Sequence, residues 1–252
     1  MKQFARSYWK TLLFFVLIGI LGGFFTGLYL MDTYPAEVQQ QIMAQGINDV
    51  LLGVITAAQS AGYGLVLGVL GILLARKIGL WKDECSITKK PLAAAIAVSV
   101  IGGGAMILLD LLFFCRFFEA LLASYAVKPS LVYILGAILY GGVIEEVMLR
   151  LFLLSLVAFV LHKLFGKKRA EVPTWIFVAA NLIAALLFAA GHLPTTFTLF
   201  GSSPLIIFRC FLLNGGLGLT FGWLYRKYGL RYAMIAHAGC HIVSKLIWIL
   251  FV

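Results

Sequence analysis

Charge is scarce in this sequence. Only 12% of its 252 residues are Asp, Glu, Lys or Arg, where a soluble domain carries about 25%. There are ten acidic residues, six prolines and four cysteines. With so little polar surface the chain cannot cover a water-soluble globule of this size, which excludes soluble single-domain folds and disordered tails. Cys85, Cys115, Cys210 and Cys240 lack metal or redox spacing, so a disulfide scaffold and a zinc ribbon are excluded and the four are expected to pack as small apolar residues. No heptad repeat, low-complexity tract, internal duplication, Ser-His-Asp arrangement or phosphate-binding loop with its lysine is present.

Apolar residues are abundant instead, at 62% of the chain with a mean hydropathy of +1.02. Seven runs have the roughly 20 apolar residues that a helix needs to cross a bilayer. They are approximately Leu12–Leu30, Leu51–Ala75, Leu92–Phe114, Leu131–Leu161, Thr174–Leu193, Leu205–Tyr225 and Tyr232–Phe251. None alternates polar and apolar residues as a barrel strand must, so an all-α transmembrane bundle of about seven spans is predicted. Three spans fall in an N-terminal part, 1–130, and four in a C-terminal core, 131–252. The first run is longer than a signal peptide's apolar core and lacks a small-x-small cleavage site, so it reads as an uncleaved anchor.

The formal net charge of +10 is a topology signal. Fifteen of the twenty basic residues lie in four regions: the N-terminal tail (Lys2, Arg6, Lys10) and the connectors 76–90, 162–171 and 226–231. The connector 32–50 has no basic residue. By the positive-inside rule the N-terminus is cytoplasmic. The basic residues form no clustered face of the kind that binds nucleic acid, so membrane lipid is the expected partner and nucleic acid is not. Short length and simple topology point to a multi-pass protein of a bacterial plasma membrane.

Charges inside a span cost at least about 2.5–3.5 kcal/mol each at mid-depth, so their positions mark function. Span four carries Glu145, Glu146 and Arg150. Glu146 and Arg150 are four apart and share a face, which suits an ion pair. Glu145 points about 100° away on an ideal helix, out of easy reach of the arginine. A carboxylate so placed suits a general base; the structural alternative is a polar clamp onto a basic residue such as Arg209. Phe188 and His192 share a face at the end of span five, ahead of Pro194, which should break or kink the helix. His237 and His241 share a face in the last span, and Lys245 extends it by a turn. That spacing suits a metal pair or two hydrogen-bond donors aimed at one cavity. Asp110 is expected to pair with Arg116, and Gln59, Asn181 and Asn214 to bridge helices. Small residues four apart (Gly23 and Gly27, Gly64 and Gly68, Gly218 and Gly222) suit close helix packing. The run Gly102-Gly103-Gly104 is expected to loosen span three.

The succession Glu-Glu-x-x-x-Arg, Phe-x-x-x-His and His-x-x-x-His on three separate apolar helices, from Gly141 to His241, resembles the CPBP intramembrane proteases. These include type II CAAX prenyl endopeptidases and bacteriocin-processing or self-immunity proteins. The resemblance implies an intramembrane endopeptidase acting on a membrane-associated peptide or protein substrate. It makes Glu145 the base that activates water, assisted by His192, with His237 and His241 stabilising the oxyanion. Glu146, Arg150 and Phe188 are support residues. The family's third motif usually ends in Asn where this chain has His241. The resemblance implies no obligatory cofactor, with zinc as an alternative in which Glu145 or Glu146 joins His192 and His237. A proton- or ion-coupled transporter and a silent scaffold are the other readings. Straight spans would leave His237 about 9 Å and His192 about 27 Å from the cytoplasmic side, so a shared site requires tilted or broken helices.

Overall fold

The computed structural model describes residues 2–82, 87–166 and 171–252, with side chains from Ser7 onward. Cys85 and the basic residues Lys167, Lys168 and Arg169 lie outside the described residues, as do the side chains of Lys2 and Arg6. Every regular element among the described residues is helical. In chain order they are α1 (Lys2–Thr33), α2 (Ala36–Ala44), α3 (Asp49–Lys77), α4 (Lys89–Leu112) and α5 (Glu119–Ala126). There follow α6 (131–165), α7 (Thr174–Gly191), α8 (Leu193–Phe200), α9 (Pro204–Tyr228) and α10 (Leu230–Phe251).

Polar caps mark where several of these helices begin. The side chains of Asn48, Ser130 and Ser203 accept hydrogen bonds from the backbone N–H of Leu51, Tyr133 and Ile206 respectively, satisfying donors that a first turn otherwise leaves orphaned. Gly229, at φ +106°, makes the turn between α9 and α10 that a residue with a Cβ would resist.

Among the described residues six stretches are long and apolar enough to cross a membrane: Ser7–Thr33, Asp49–Lys77, Lys89–Arg116, Thr174–Phe200, Pro204–Tyr228 and Leu230–Phe251. The remaining expected span is also helical, over 131–165, but it carries the charged triplet and two π-helical stretches. Many apolar side chains face outward, among them Leu17, Leu21, Val100, Ile101 and Leu187. Such a surface is stable against acyl chains and not against water.

Small residues let the helices touch. α1 lies against α3, where a Cβ on Gly27 would stand 2.7 Å from Gly53 Cα and one on Gly64 2.7 Å from the Phe15 carbonyl oxygen. α7 meets α9 where the Asn181 amide donates to the Leu219 carbonyl at 2.9 Å, over Gly222. The expectation for Gly102-Gly103-Gly104 is corrected: α4 runs unbroken through it. Gly102 and Gly103 instead seat α10, with a Cβ on Gly103 only 2.6 Å from the Cys240 carbonyl oxygen. One buried cluster draws on both halves of the chain, from Phe15 and Ile72 to Leu151, Phe221 and Cys240.

Three polar expectations are also corrected. Asp110 pairs with Arg209 on α9, whose Nε donates to Oδ1 at 2.6 Å, while the Tyr125 hydroxyl donates to Oδ2 at 2.7 Å. Arg116 is exposed, so water solvates its charge, whereas buried Asp110 needs a cation inside the bundle. Gln59 and Asn214 bond within their own helices, to the Tyr63 hydroxyl and the Cys210 carbonyl four residues away, because that partner needs no neighbouring helix. Cys115, Cys210 and Cys240 are buried and unpaired, as small packing residues.

Candidate active site

The site is built on the irregular middle of α6. Ala137–Ile144 and Val147–Leu154 are both π-helical, with Glu145 and Glu146 between them. Wider π turns inside an α-helix recur at functional sites, where they redirect side chains at some cost in backbone regularity. Gly141 and Gly142 just ahead admit α10: a Cβ on Gly141 would stand 2.7 Å from His241 Nε2, and one on Gly142 2.6 Å from Ala238 Cβ. That contact sets the two histidines of α10 against the two glutamates of α6.

The carboxylates have different partners. Glu146 is fully buried and its Oε1 lies 2.8 Å from His237 Nδ1 and 3.1 Å from Arg150 Nη1. Glu145 is 17% exposed, and its Oε2 is 3.9 Å from His237 Nε2. The His237 ring therefore spans the pair of acids. Its short contact to Glu146 is made by Nδ1–H donating to a carboxylate, which orients the ring and turns Nε2 toward Glu145. Arg209 is held by Asp110, so a clamp from that arginine onto either glutamate does not form.

Arg150 is as buried as its partner, 2% exposed, and its guanidinium lies over two rings, 4.6 Å from the Phe188 centroid and 5.4 Å from that of Phe221. A delocalised cation stacked on aromatic faces tolerates a dry site better than an ammonium does. Phe188 links the rest. His192 lies edge-on to it at 4.8 Å and His237 edge-on at 5.9 Å. Both imidazoles thus reach one ring despite the depths that straight spans would give them. α7 ends at Gly191, and the chain turns at His192 into α8, whose first turn holds Pro194. His192 Nδ1 donates to the Phe188 carbonyl at 2.9 Å, leaving Nε2 as the outward nitrogen. His192 joins the cluster through Phe188, and no ion pair within 4.0 Å joins it to Glu145.

His241 stacks on His237 at 5.0 Å and 27°, and its Nδ1 is buried with no hydrogen-bond partner among the described residues. Phe221 is a site residue that the sequence did not disclose. It stacks flat on His237 at 4.5 Å while also covering Arg150. One phenylalanine in an apolar span carries no periodic or charge signal, so only the packing of α9 on α10 reveals it.

Zinc bound by protein needs about three converging ligands. Among the described residues no group of three or more His, Cys, Asp or Glu side chains has that geometry. The Nδ1 atoms of His192 and His237 are committed to a carbonyl and to Glu146, which leaves their Nε2 atoms as the outward nitrogens.

Comparison with known proteins adds one finding. Residues 126–243 match the family model described as type II CAAX prenyl endopeptidase Rce1-like. No curated protein and no solved structure gives a match. The matched segment runs from the end of α5 into α10 and encloses Glu145, Glu146, Arg150, Phe188, His192, His237 and His241. Residues 126–243, embedded in an all-helical membrane bundle, are thus similar to the Rce1-like type II CAAX prenyl endopeptidases.

Proposed function

We propose that the chain hydrolyses a peptide bond within the membrane, using water activated by Glu145. The carrying observation is the position of His237, bonded to Glu146 through Nδ1 and facing Glu145 with Nε2 at 3.9 Å. That gap is too long for a direct hydrogen bond and suits one water touching both groups. Glu145 is the more accessible of the two acids and has no arginine partner, so it is free to take a proton.

In the proposed reaction Glu145 removes a proton as the water oxygen bonds to the scissile carbonyl carbon. Negative charge develops on the carbonyl oxygen, and Nε2–H of a protonated His237, with His241 beside it, stabilises that charge. Glu146 keeps the His237 ring aligned and balances its charge. Glu145 then returns the proton to the amide nitrogen as the C–N bond breaks, leaving a carboxylic acid and an amine. His192 positions the reacting groups through Phe188. No step uses a metal. The N-terminus is cytoplasmic in this proposal, and a prenylated C-terminal peptide is the favoured substrate, ahead of a bacteriocin leader.

The charges that a transport relay would link separate into two groups, Asp110 with Arg209 and Arg150 with the glutamates, which favours hydrolysis. The test uses purified protein in liposomes with a farnesylated peptide ending in Cys-Val-Ile-Ser. Cleavage is expected from the wild type, unchanged by EDTA, and reduced by roughly 10²–10⁴ in Glu145→Gln. Full activity in Glu145→Gln, or its loss with EDTA, refutes the mechanism.

A further inference from the structure

A cavity of about 280 Å³ lies where α1 meets the segment after α3 and the turn between α9 and α10, and none of the glutamates or histidines of the candidate active site lines it. Its lining changes character with depth. Ser7, where the first membrane-spanning stretch begins, stands at one end with Lys82 and Arg231. Phe14, Phe15 and Met234 stand at the other. The seven residues of α1 from Ser7 to Phe14 rise about 10 Å, and a headgroup layer is about 5–8 Å thick, so the cavity runs from the membrane interface into the hydrocarbon. Its tyrosines add ring surface more than polarity. The Tyr225 hydroxyl lies 2.9 Å from Ser155 Oγ, and that of Tyr232 accepts the Thr88 N–H at 2.9 Å. Phe14 is 46% exposed, and an apolar side chain so exposed in a membrane span meets acyl chains.

The polar end is cationic. Among the described residues no Asp or Glu lines the cavity. Lys82 is exposed, and its stem packs on Gly229, where an added Cβ would stand 3.5 Å from the lysine's own Cβ. Arg231 has five N–H donors, enough to hold a phosphate oxygen beside the other contacts it makes. A ligand that meets two cations at the interface and apolar side chains about 10 Å deeper has an anionic head and a hydrocarbon chain. We infer that this cavity binds one anionic phospholipid, with its phosphate at Lys82 and Arg231 and one acyl chain entering past Phe14 toward Phe15 and Met234. The volume is near the lower end of ligand cavities, about 300 Å³, so it takes the head and the start of one chain and leaves the rest in the bilayer. A water-soluble phosphate would leave the apolar end unfilled. Met234 stands one turn before His237 on α10, so the lipid braces the helix that carries both site histidines. Binding here requires no hydrolysis and persists in an inactive chain.

Native mass spectrometry of the full chain in detergent compares dioleoyl phosphatidylglycerol with dioleoyl phosphatidylcholine, which has the same chains and phosphate but a compensating cation. The anionic lipid is expected to bind as a single tight copy, at least about tenfold more strongly, the range of a hydrogen-bonded charge. Lys82→Met, at an exposed position, should remove most of that preference, and Lys82→Arg should keep it. Thr11→Trp fills the cavity while leaving both cations in place, and should abolish the tight copy. Lys227→Met is the control for general attraction of acidic lipid to surface cations, because Lys227 is exposed at the end of α9 and lies outside the cavity; it should keep the preference. Equal binding of the two lipids to the wild type overturns the inference and needs no folded variant. So does a preference that survives both Lys82→Met and Thr11→Trp, or a loss as large in Lys227→Met as in Lys82→Met. Glycerol phosphate, the head without its chains, should not displace the lipid at equal concentration; displacement would assign the cavity to a soluble phosphate instead.

Discussion

Replacing Arg150 by alanine takes the cation away from three groups at once. Glu146 loses a partner at 3.1 Å, and the rings of Phe188 and Phe221 lose the guanidinium that lies over both. Glu146 is then a fully buried carboxylate beside a second one, with only the His237 imidazole to answer it. Removing one partner of a buried ion pair costs about 3–5 kcal/mol, and a domain of this size shifts its Tm by about 2–4 °C per kcal/mol. The expected fall is therefore about 6–20 °C, followed by the fluorescence of the protein's tryptophans during thermal unfolding in detergent. Arg150→Lys should recover only part of it, because a compact ammonium cannot lie flat on two rings. Arg150→Met with Glu146→Gln should be more stable than Arg150→Ala, since neither charge is then stranded. An Arg150→Ala protein that melts within about 3 °C of wild type yet has lost cleavage would overturn this reasoning and place the arginine in the chemistry.

Two further perturbations test the packing. Gly103→Ala forces a Cβ to within 2.6 Å of the Cys240 carbonyl oxygen, whereas Gly104→Ala meets nothing within 4 Å. The first should destabilise by about 1–3 kcal/mol, as overpacking does, while the second leaves the melting temperature near that of wild type; equal melting would refute the close α4–α10 contact. Asp110→Asn should cost about 3 kcal/mol, because Arg209 loses its carboxylate inside the bundle, and Arg116→Ala should cost nearly nothing. A similar loss from both in the same unfolding assay would restore the Arg116 pairing.

Much of the candidate site was legible in one dimension because charge in an apolar span is rare enough to stand out. Glu145, Glu146 and Arg150 were visible for that reason, and the i, i+4 spacing was enough to pair Glu146 with Arg150. The partner of Asp110 was not legible: Arg116 is near in sequence, but Arg209 is the cation brought inside the bundle. Phe221 was invisible because its role comes from stacking on His237, and one aromatic among many gives no sign of its neighbours. Gln59 and Asn214 misled because a polar side chain in a helix can satisfy itself one turn away.

Composition alone determined the solvent of this protein and its helical class, since a backbone in lipid must satisfy its own hydrogen bonds. The pairing of small residues four apart likewise announced that helix backbones would approach closely. Only the tertiary structure decided how imidazoles at such different nominal depths come to share one phenylalanine. The break at His192 and the π turns around the glutamates move side chains off the positions that ideal spans assign, and such departures arise from packing between helices, which no single helix's sequence contains.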